Sequence, residues 1–238
     1  MLRFMSSIRR FKLVRAWFAM ALCALLAAPS LSTSARAAGE PGDFDYYALV
    51  LSWSPSHCAT ARRQDNGPQC AGEKPYSFVL HGLWPQFYRS YPEFCRTQKR
   101  SWVSNELIAE MMDIMPGKGL IIHQYRKHGS CSGLSPEQYF GISRTLYESI
   151  KIPEVYRRPS APVSTTPDEV EKAFLDSNPQ LNADMLAVSC KGELVEEVRI
   201  CFSRDRKPTK CGSNEDQGRI CRRDKLVMPP VQWRPSGI

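Results

Sequence analysis

Tyr76-Ser77-Phe78-Val79-Leu80-His81-Gly82-Leu83-Trp84-Pro85 is the stretch on which the reading of this chain turns. From Tyr76 to Leu83 it alternates with the two-residue period of a strand. Tyr76, Phe78 and Leu80 fall on one face, and Ser77, Val79 and His81 share the other. A second histidine segment follows, His123-Gln124-Tyr125-Arg126-Lys127-His128-Gly129-Ser130-Cys131. Leu120 to His128 reads as a short helix, on which positions four apart share a face. Gln124 would then project with His128, and His123 with Lys127, on adjoining faces. Each segment alone has a plain reading: a core histidine at 81, and a solvated basic helix face at 123–128. Together they hold three of the four histidines. A pair of positioned imidazoles can take a proton from one oxygen and give one to another near neutral pH. The fourth, His57, stands beside Cys58 and reads as structural, and Arg126 points away from Gln124 into solvent.

Outward from these segments the chain is a mixture of elements. Phe44 to Trp53, rich in aromatic and β-branched residues, reads as a strand. Trp102 to Met115 has helical periodicity and stops at Pro116-Gly117. Ser135-Pro136-Glu137-Gln138 is a capping box with proline at the first helical position, opening a helix to about Lys151. Thr166-Pro167-Asp168-Glu169 repeats that signature and opens a helix to about Asp176. Between them, Pro153 to Pro167 holds four prolines and reads as a surface loop. Met185–Cys190 and Leu194–Ser203 flank Lys191-Gly192-Glu193 as a hairpin. The tail, with Pro229, Pro230 and Pro235, is expected to wrap the surface. Strands and helices mix without regular βαβ alternation, so the fold class is α+β, in one domain over 39–238.

Residues 1–38 read as an export signal. Arg3, Arg9, Arg10, Lys12 and Arg15 form a basic start, Ala16 to Ala28 is apolar but short for a bilayer span, and Ala35-Arg36-Ala37 supplies a small-x-small cleavage pattern. The mature protein is then expected in the periplasm or the medium, with no membrane attachment. The leader also carries most of the charge. Residues 1–37 hold six of the 32 Lys/Arg and no acid, so 26 basic residues face 24 acidic ones afterwards, a net of +2 against +8 for the whole chain. A global electrostatic grip on nucleic acid is therefore unsupported, and a polyanion would have to be held by a local site. Eight cysteines follow the leader, at 58, 70, 95, 131, 190, 201, 211 and 221. An even number behind an export signal implies disulfides. No C-x₂₋₄-C pair and no H-E-x-x-H is present, so neither a metal nor another cofactor is expected.

His81-Gly82-Leu83-Trp84-Pro85 resembles the first signature of the T2 family of ribonucleases, and His123 to Cys131 resembles the second, H-E-x-x-K-H-G-T/S-C. Leu51-Ser52-Trp53-Ser54-Pro55 is similar to the family too. The resemblance runs from about Phe44 to Cys221. It implies a central antiparallel sheet carrying His81, packed with helices. It also implies cleavage of single-stranded RNA with little base preference, through a 2′,3′-cyclic phosphate, and no cleavage of DNA, which lacks the 2′-OH. Carried over residue by residue, His128 is the base, His81 the acid and His123 a phosphate ligand. Lys127 and residue 124 stabilise charge on phosphorus, and Trp84 stacks on a base. Gln86 is a candidate for a base edge, and Phe87, Tyr88 and Tyr91 for a base subsite. The protein is expected to act as a monomer on RNA. Eight cysteines allow 105 pairings; the resemblance implies Cys95–Cys131, Cys190–Cys221 and Cys201–Cys211, leaving Cys58–Cys70. One position departs from the family: its glutamate is Gln124 here, which can donate a hydrogen bond but cannot exchange a proton. The competing reading is accordingly a T2-like RNA-binding or signalling protein with weakened catalysis.

Overall fold

The computed structural model describes residues 39–61, 67–71, 74–97 and 102–231. The expected export signal at 1–38 lies outside them. Six strands form the sheet: β1 (Tyr46–Trp53), β2 (Phe78–Gln86), β3 (Val163–Thr165), β4 (Leu186–Lys191), β5 (Leu194–Ser203) and β6 (Leu226–Met228). Their order is β2-β1-β5-β6-β3, with β4 paired to β5. All pairings are antiparallel except Leu194↔Val227, where β6 runs parallel to β5. Seven α-helices are present among the described residues: α1 (Ser54–Thr60), α2 (Pro68–Ala71), α3 (Asn105–Met111), α4 (Lys118–Lys127), α5 (Pro136–Ser149), α6 (Pro167–Ser177) and α7 (Gln217–Ile220). The architecture is α+β. Both capping boxes form as read, with Ser135 and Gln138 closing α5 and Thr166 and Glu169 closing α6.

β1 is buried on both faces, and its alternation sorts the molecule. Tyr47, Leu49, Leu51 and Trp53 enter the main core with Phe78, Leu80 and Leu83 of β2. Tyr46, Ala48, Val50 and Ser52 take the opposite face. The register between β1 and β2 slips once: Leu51 pairs with Leu80 and Val50 with Gly82, so His81 has no partner residue. This bulge reverses the parity of β2. Leu80 and Leu83, three apart, both reach the core, and Trp84 moves to the face that the alternation gave His81.

β2 lies at one edge of the sheet, and four of its backbone groups are met from beyond that edge. Leu80 donates its N–H to Ile114 O at 2.9 Å. The Tyr147 hydroxyl donates to Phe78 O at 3.0 Å. The Tyr139 hydroxyl donates to Leu83 O at 2.7 Å and accepts from Leu83 N at 3.3 Å.

Three expectations change. The helix sought over Trp102 to Met115 is shorter, because Ser104 caps it, accepting from Leu107 N. The Pro153–Pro167 loop holds a 3₁₀ turn at Glu154–Tyr156, anchored by buried Tyr156, and ends in β3. Just ahead of the tail prolines, Leu226–Met228 enters the sheet as β6, and Pro229, expected on the surface, is buried with its carbonyl accepting from Trp53 Nε1 at 3.1 Å; Pro235 lies outside the described residues. Three-residue strands are too short to show a period, and neighbouring prolines disguise them.

Candidate active site

The β1 face opposite the core assembles one half of the site. Across β1, Ser52 pairs with Val79 and Glu197, Val50 with Gly82 and Arg199, and Ala48 with Trp84 and Cys201. Trp84, Arg199 and Glu197 therefore share a face, and the small residues Ala48 and Ser52 let side chains reach across the middle strand. His81 Nδ1 lies 2.5 Å from Glu197 Oε1. Glu197 is only 4% exposed. Burial by itself would raise its pKa; the hydrogen bond and charge of His81 and those of Arg199 outweigh it and pull the carboxyl down to about 2.

α4 supplies the other half. Gln124 and His128 are 2% and 4% exposed, whereas His123 lies on the exposed rim with Lys127 partly covered. Gln124 and His128, which the four-residue spacing puts on one face, are thus the buried pair. Trp84 Nε1 donates to Gln124 Oε1 at 2.8 Å. The indole is a donor only, so this contact assigns the amide oxygen. Gly82 makes it possible: a Cβ there would lie 2.1 Å from Gln124 Oε1 and 2.6 Å from Trp84 Nε1.

Trp84 stands between the two histidines. Its ring stacks on His128 at 4.9 Å and 18°, and meets His81 edge-on at 5.3 Å and 76°. Arg199 lies over the indole at 5.0 Å. Burial first, then the positive charges of Lys127, His81, His123 and Arg199, push His128 down to about 2, so its imidazole is neutral. Its Nδ1 is buried with no hydrogen-bond partner. His123 is lowered as well, by burial and then by Lys127, His81 and Arg126. On the rim, the Phe94 ring meets His123 at 6.2 Å, Phe94 N donates to Lys127 O at 2.8 Å, and Lys127 Nζ lies 3.6 Å from Glu93. The Cys95–Cys131 disulfide ties this segment to the end of the helix. The other bridges are Cys58–Cys70, Cys190–Cys221 and Cys201–Cys211, so all four pairs are those of the sequence reading.

Other candidates scatter. Gln86 is buried, and its Oε1 accepts from Asn214 Nδ2 at 2.8 Å; Asn214 also holds Ser90 O at 2.7 Å. Gln86, on the same sheet face as Trp84, thus braces the following loop through its Oε1. Tyr88 and Tyr91 are exposed, and Phe87 is partly packed on the core. Beside His81 opens a small cleft lined by Ser52, Ser56, His57, Thr60, Lys191 and Glu196. His57 thus borders the site instead of lying remote from it. Among the described residues, no three His, Cys, Asp or Glu side chains cluster as metal ligands would. Sequence reading missed Glu197 and Arg199. Their trace was there: Glu196, Glu197 and Arg199 are charges inside a strand otherwise apolar up to Ser203, and Glu197 and Arg199, two residues apart, share a face.

A sequence model of the Ribonuclease T2 family matches residues 44–211. A protein of Aeromonas hydrophila named "Ribonuclease" is 39% identical over 132 residues, 56% of this chain and 58% of that protein. A "Probable ribonuclease" of Haemophilus influenzae is 31% identical over 181 residues, 71% of this chain and 61% of its own length. The chain thus spans less than two thirds of these two curated relatives. Among solved structures, RNase NT in complex with 5′-AMP superposes with a TM-score of 0.58 at 24% identity, covering 79% of this chain and 99% of that one. An RNase-related protein from Calystegia sepium gives 0.60 at 20% identity, covering 78% and 97%. These two are likenesses of fold.

Proposed function

This chain belongs to the Ribonuclease T2 family, and from that premise we propose that it is an endoribonuclease that cleaves single-stranded RNA without a metal and with low base specificity. His128 takes the proton from the ribose 2′-OH. The 2′-oxygen attacks the adjacent phosphorus, and His81 protonates the departing 5′-oxygen. The product is a 2′,3′-cyclic phosphate. His123 and Lys127 meet the phosphate from the rim. Gln124 has its carbonyl oxygen engaged by Trp84, which turns its NH₂ toward use as a donor to a phosphoryl oxygen. Trp84 stacks on a base through its exposed part. Gln86, whose Oε1 is held by Asn214, has its NH₂ to offer to a base edge.

The observation that carries this reading is the placing of His81 and His128 on either ring contact of Trp84, one beside a carboxylate and one buried and neutral. A general base must begin unprotonated and a general acid protonated, and these surroundings favour that division. In the same reading residues 1–38 direct export, and the mature protein works as a monomer in the periplasm or the medium.

The test uses purified mature protein, a single-stranded RNA and the matching DNA, with and without EDTA. Mass spectrometry of early products should show termini lighter by one water than a linear phosphate, with DNA intact and EDTA without effect. Linear 5′-phosphates alone, or loss of activity with EDTA, would sink the mechanism. Gln124 supports a second reading, a binding or signalling protein with weakened catalysis. RNA binding without cleavage anywhere from about pH 4 to 8, the span of histidine titration, would favour it.

A further inference from the structure

Glu197 and Arg199 sit beneath the site and touch none of the atoms that the reaction rearranges. Their geometry is nevertheless closed. The Arg199 guanidinium forks onto one oxygen of Glu197, with Nε at 3.1 Å and Nη2 at 2.9 Å from Oε2. The other oxygen, Oε1, is left for His81 Nδ1 at 2.5 Å. Each carboxylate oxygen has one occupant, so the carboxylate cannot turn without breaking both contacts. Arg199 Nη1 lies 3.8 Å from Oε1 of Glu215, a fully buried side chain that also accepts from the Tyr46 hydroxyl. Above, the same guanidinium lies against Trp84. Arg199 is thus held by two carboxylates and an indole, a planar fork that lysine could not reproduce.

We propose that Glu197 and Arg199 are positioning residues for leaving-group protonation: Glu197 fixes the ring plane and the Nδ1 proton of His81, and Arg199 holds Glu197 and braces Trp84. The inference rests on the ribonuclease reading and deepens it. An ionised carboxylate only accepts hydrogen bonds, so His81 Nδ1 is the donor and keeps its proton throughout. The proton in play is then on Nε2. In the cleavage step it passes to the 5′-oxygen as the P–O5′ bond breaks. His81 becomes neutral, still donating from Nδ1, while the proton from the 2′-oxygen resides on His128. With His81 protonated, His81 and Arg199 are the two cations on the Glu197 carboxylate, while burial raises the neighbouring Glu215 carboxyl. The other charged or titratable groups facing His81 are His123 and His128 at the α4 end, and His57, Lys191 and Glu196 along the cleft.

The test compares two substrates that differ only in the leaving group: a dinucleoside phosphate, whose 5′-alkoxide needs a proton, and a nucleoside 3′-(4-nitrophenyl phosphate), whose phenolate leaves without one. Glu197→Gln should lose about ten- to hundred-fold in kcat/KM on the dinucleotide, the scale of an orienting partner of a functional histidine. On the aryl ester it should stay within a few-fold of wild type, which also certifies that the variant is folded. The alkaline limb of its kcat/KM profile on the dinucleotide should move to lower pH, because the anion beside His81 is gone. Glu197→Asp should restore part of the loss. Arg199→Lys should follow the same substrate pattern with a smaller loss. Equal losses on both substrates in both variants, or an unmoved alkaline limb, would overturn the proposal. Wild-type protein that cleaves neither substrate would instead sink the ribonuclease reading itself.

Discussion

The two histidines flanking Trp84 have the same side chain and opposite surroundings. His81 projects from a sheet at a bulge, hydrogen-bonded to an ionised carboxylate and bordering an open cleft. His128 ends a helix, 4% exposed, with one ring nitrogen buried and unpartnered and four positive groups nearby. Both lie within about 5 Å of one indole, at 5.3 and 4.9 Å, so distance from a common centre does not separate them. What separates them is that one has a fixed anion to answer its charge and the other has only hydrophobic cover and like charges. In the proposed mechanism the division of labour between the two histidines follows from the sheet and the helix that carry them.

The comparison breaks most plainly at the histidines themselves. His81→Ala and His128→Ala should each cost about 10²–10⁴-fold in kcat/KM on a dinucleoside phosphate. On the aryl ester only His128→Ala should remain severely impaired; equal impairment would mean that the two residues are not divided as acid and base. Next is the anchor of the helical side. Replacing Cys95 and Cys131 together by alanine should lower unfolding stability by about 2–4 kcal/mol in urea titration. Gln124→Ala should cost about 1.5–3 kcal/mol in transition-state stabilisation, the value of a hydrogen bond to a charged group, read as kcat/KM. Gln124→Glu keeps the acceptor for Trp84 but replaces a donor with an anion. It should be no faster than wild type where the carboxyl is ionised and gain only at acid pH. A variant faster at every pH would show that position 124 takes part in proton handling. The last effect concerns stability, and between pH 7 and 5 it is of the same order as the Gln124→Ala loss. The folded pKa of His128 lies below its unfolded value, so the native state binds fewer protons and loses stability as pH falls from about 6.5 toward 2, by up to about 1.4 kcal/mol per pH unit. Below the ordinary carboxylate range Glu197, likewise lowered, adds a loss of the same sign. Urea midpoints of wild type and His128→Asn at pH 7 and 5 check this, the variant being the flatter.

Much of this was legible because its causes are local. Two capping boxes, a hairpin turn and the four-residue spacing of Gln124 and His128 each act within a few residues, and each formed as read. The bulge was hidden, since it is a relation between β2 and β1. Only Gly82 hinted at it, as glycine inside a strand often does. Strict alternation would have set Trp84 opposite His81. Glu197 was hidden for a similar reason: it reaches His81 across a third strand, over Ser52. The partner of Gln86 was hidden too, because nothing near Gln86 in sequence announces Asn214, which arrives from the segment after Cys211.

The strand that bears His81 is also a boundary of its sheet, and a boundary strand is sticky. Its unpaired N–H and C=O groups are a template on which a second molecule can lay a strand of its own, the first step toward aggregates. Here the hydroxyls of Tyr139 and Tyr147 and the carbonyl of Ile114 take up that template from within the same chain, and Pro85 has no N–H to offer. The kink at His81 bends what remains away from a straight partner. In the proposed mechanism His81 can therefore sit at the rim of the sheet, within reach of a large substrate, on an edge that offers a second copy fewer open backbone groups.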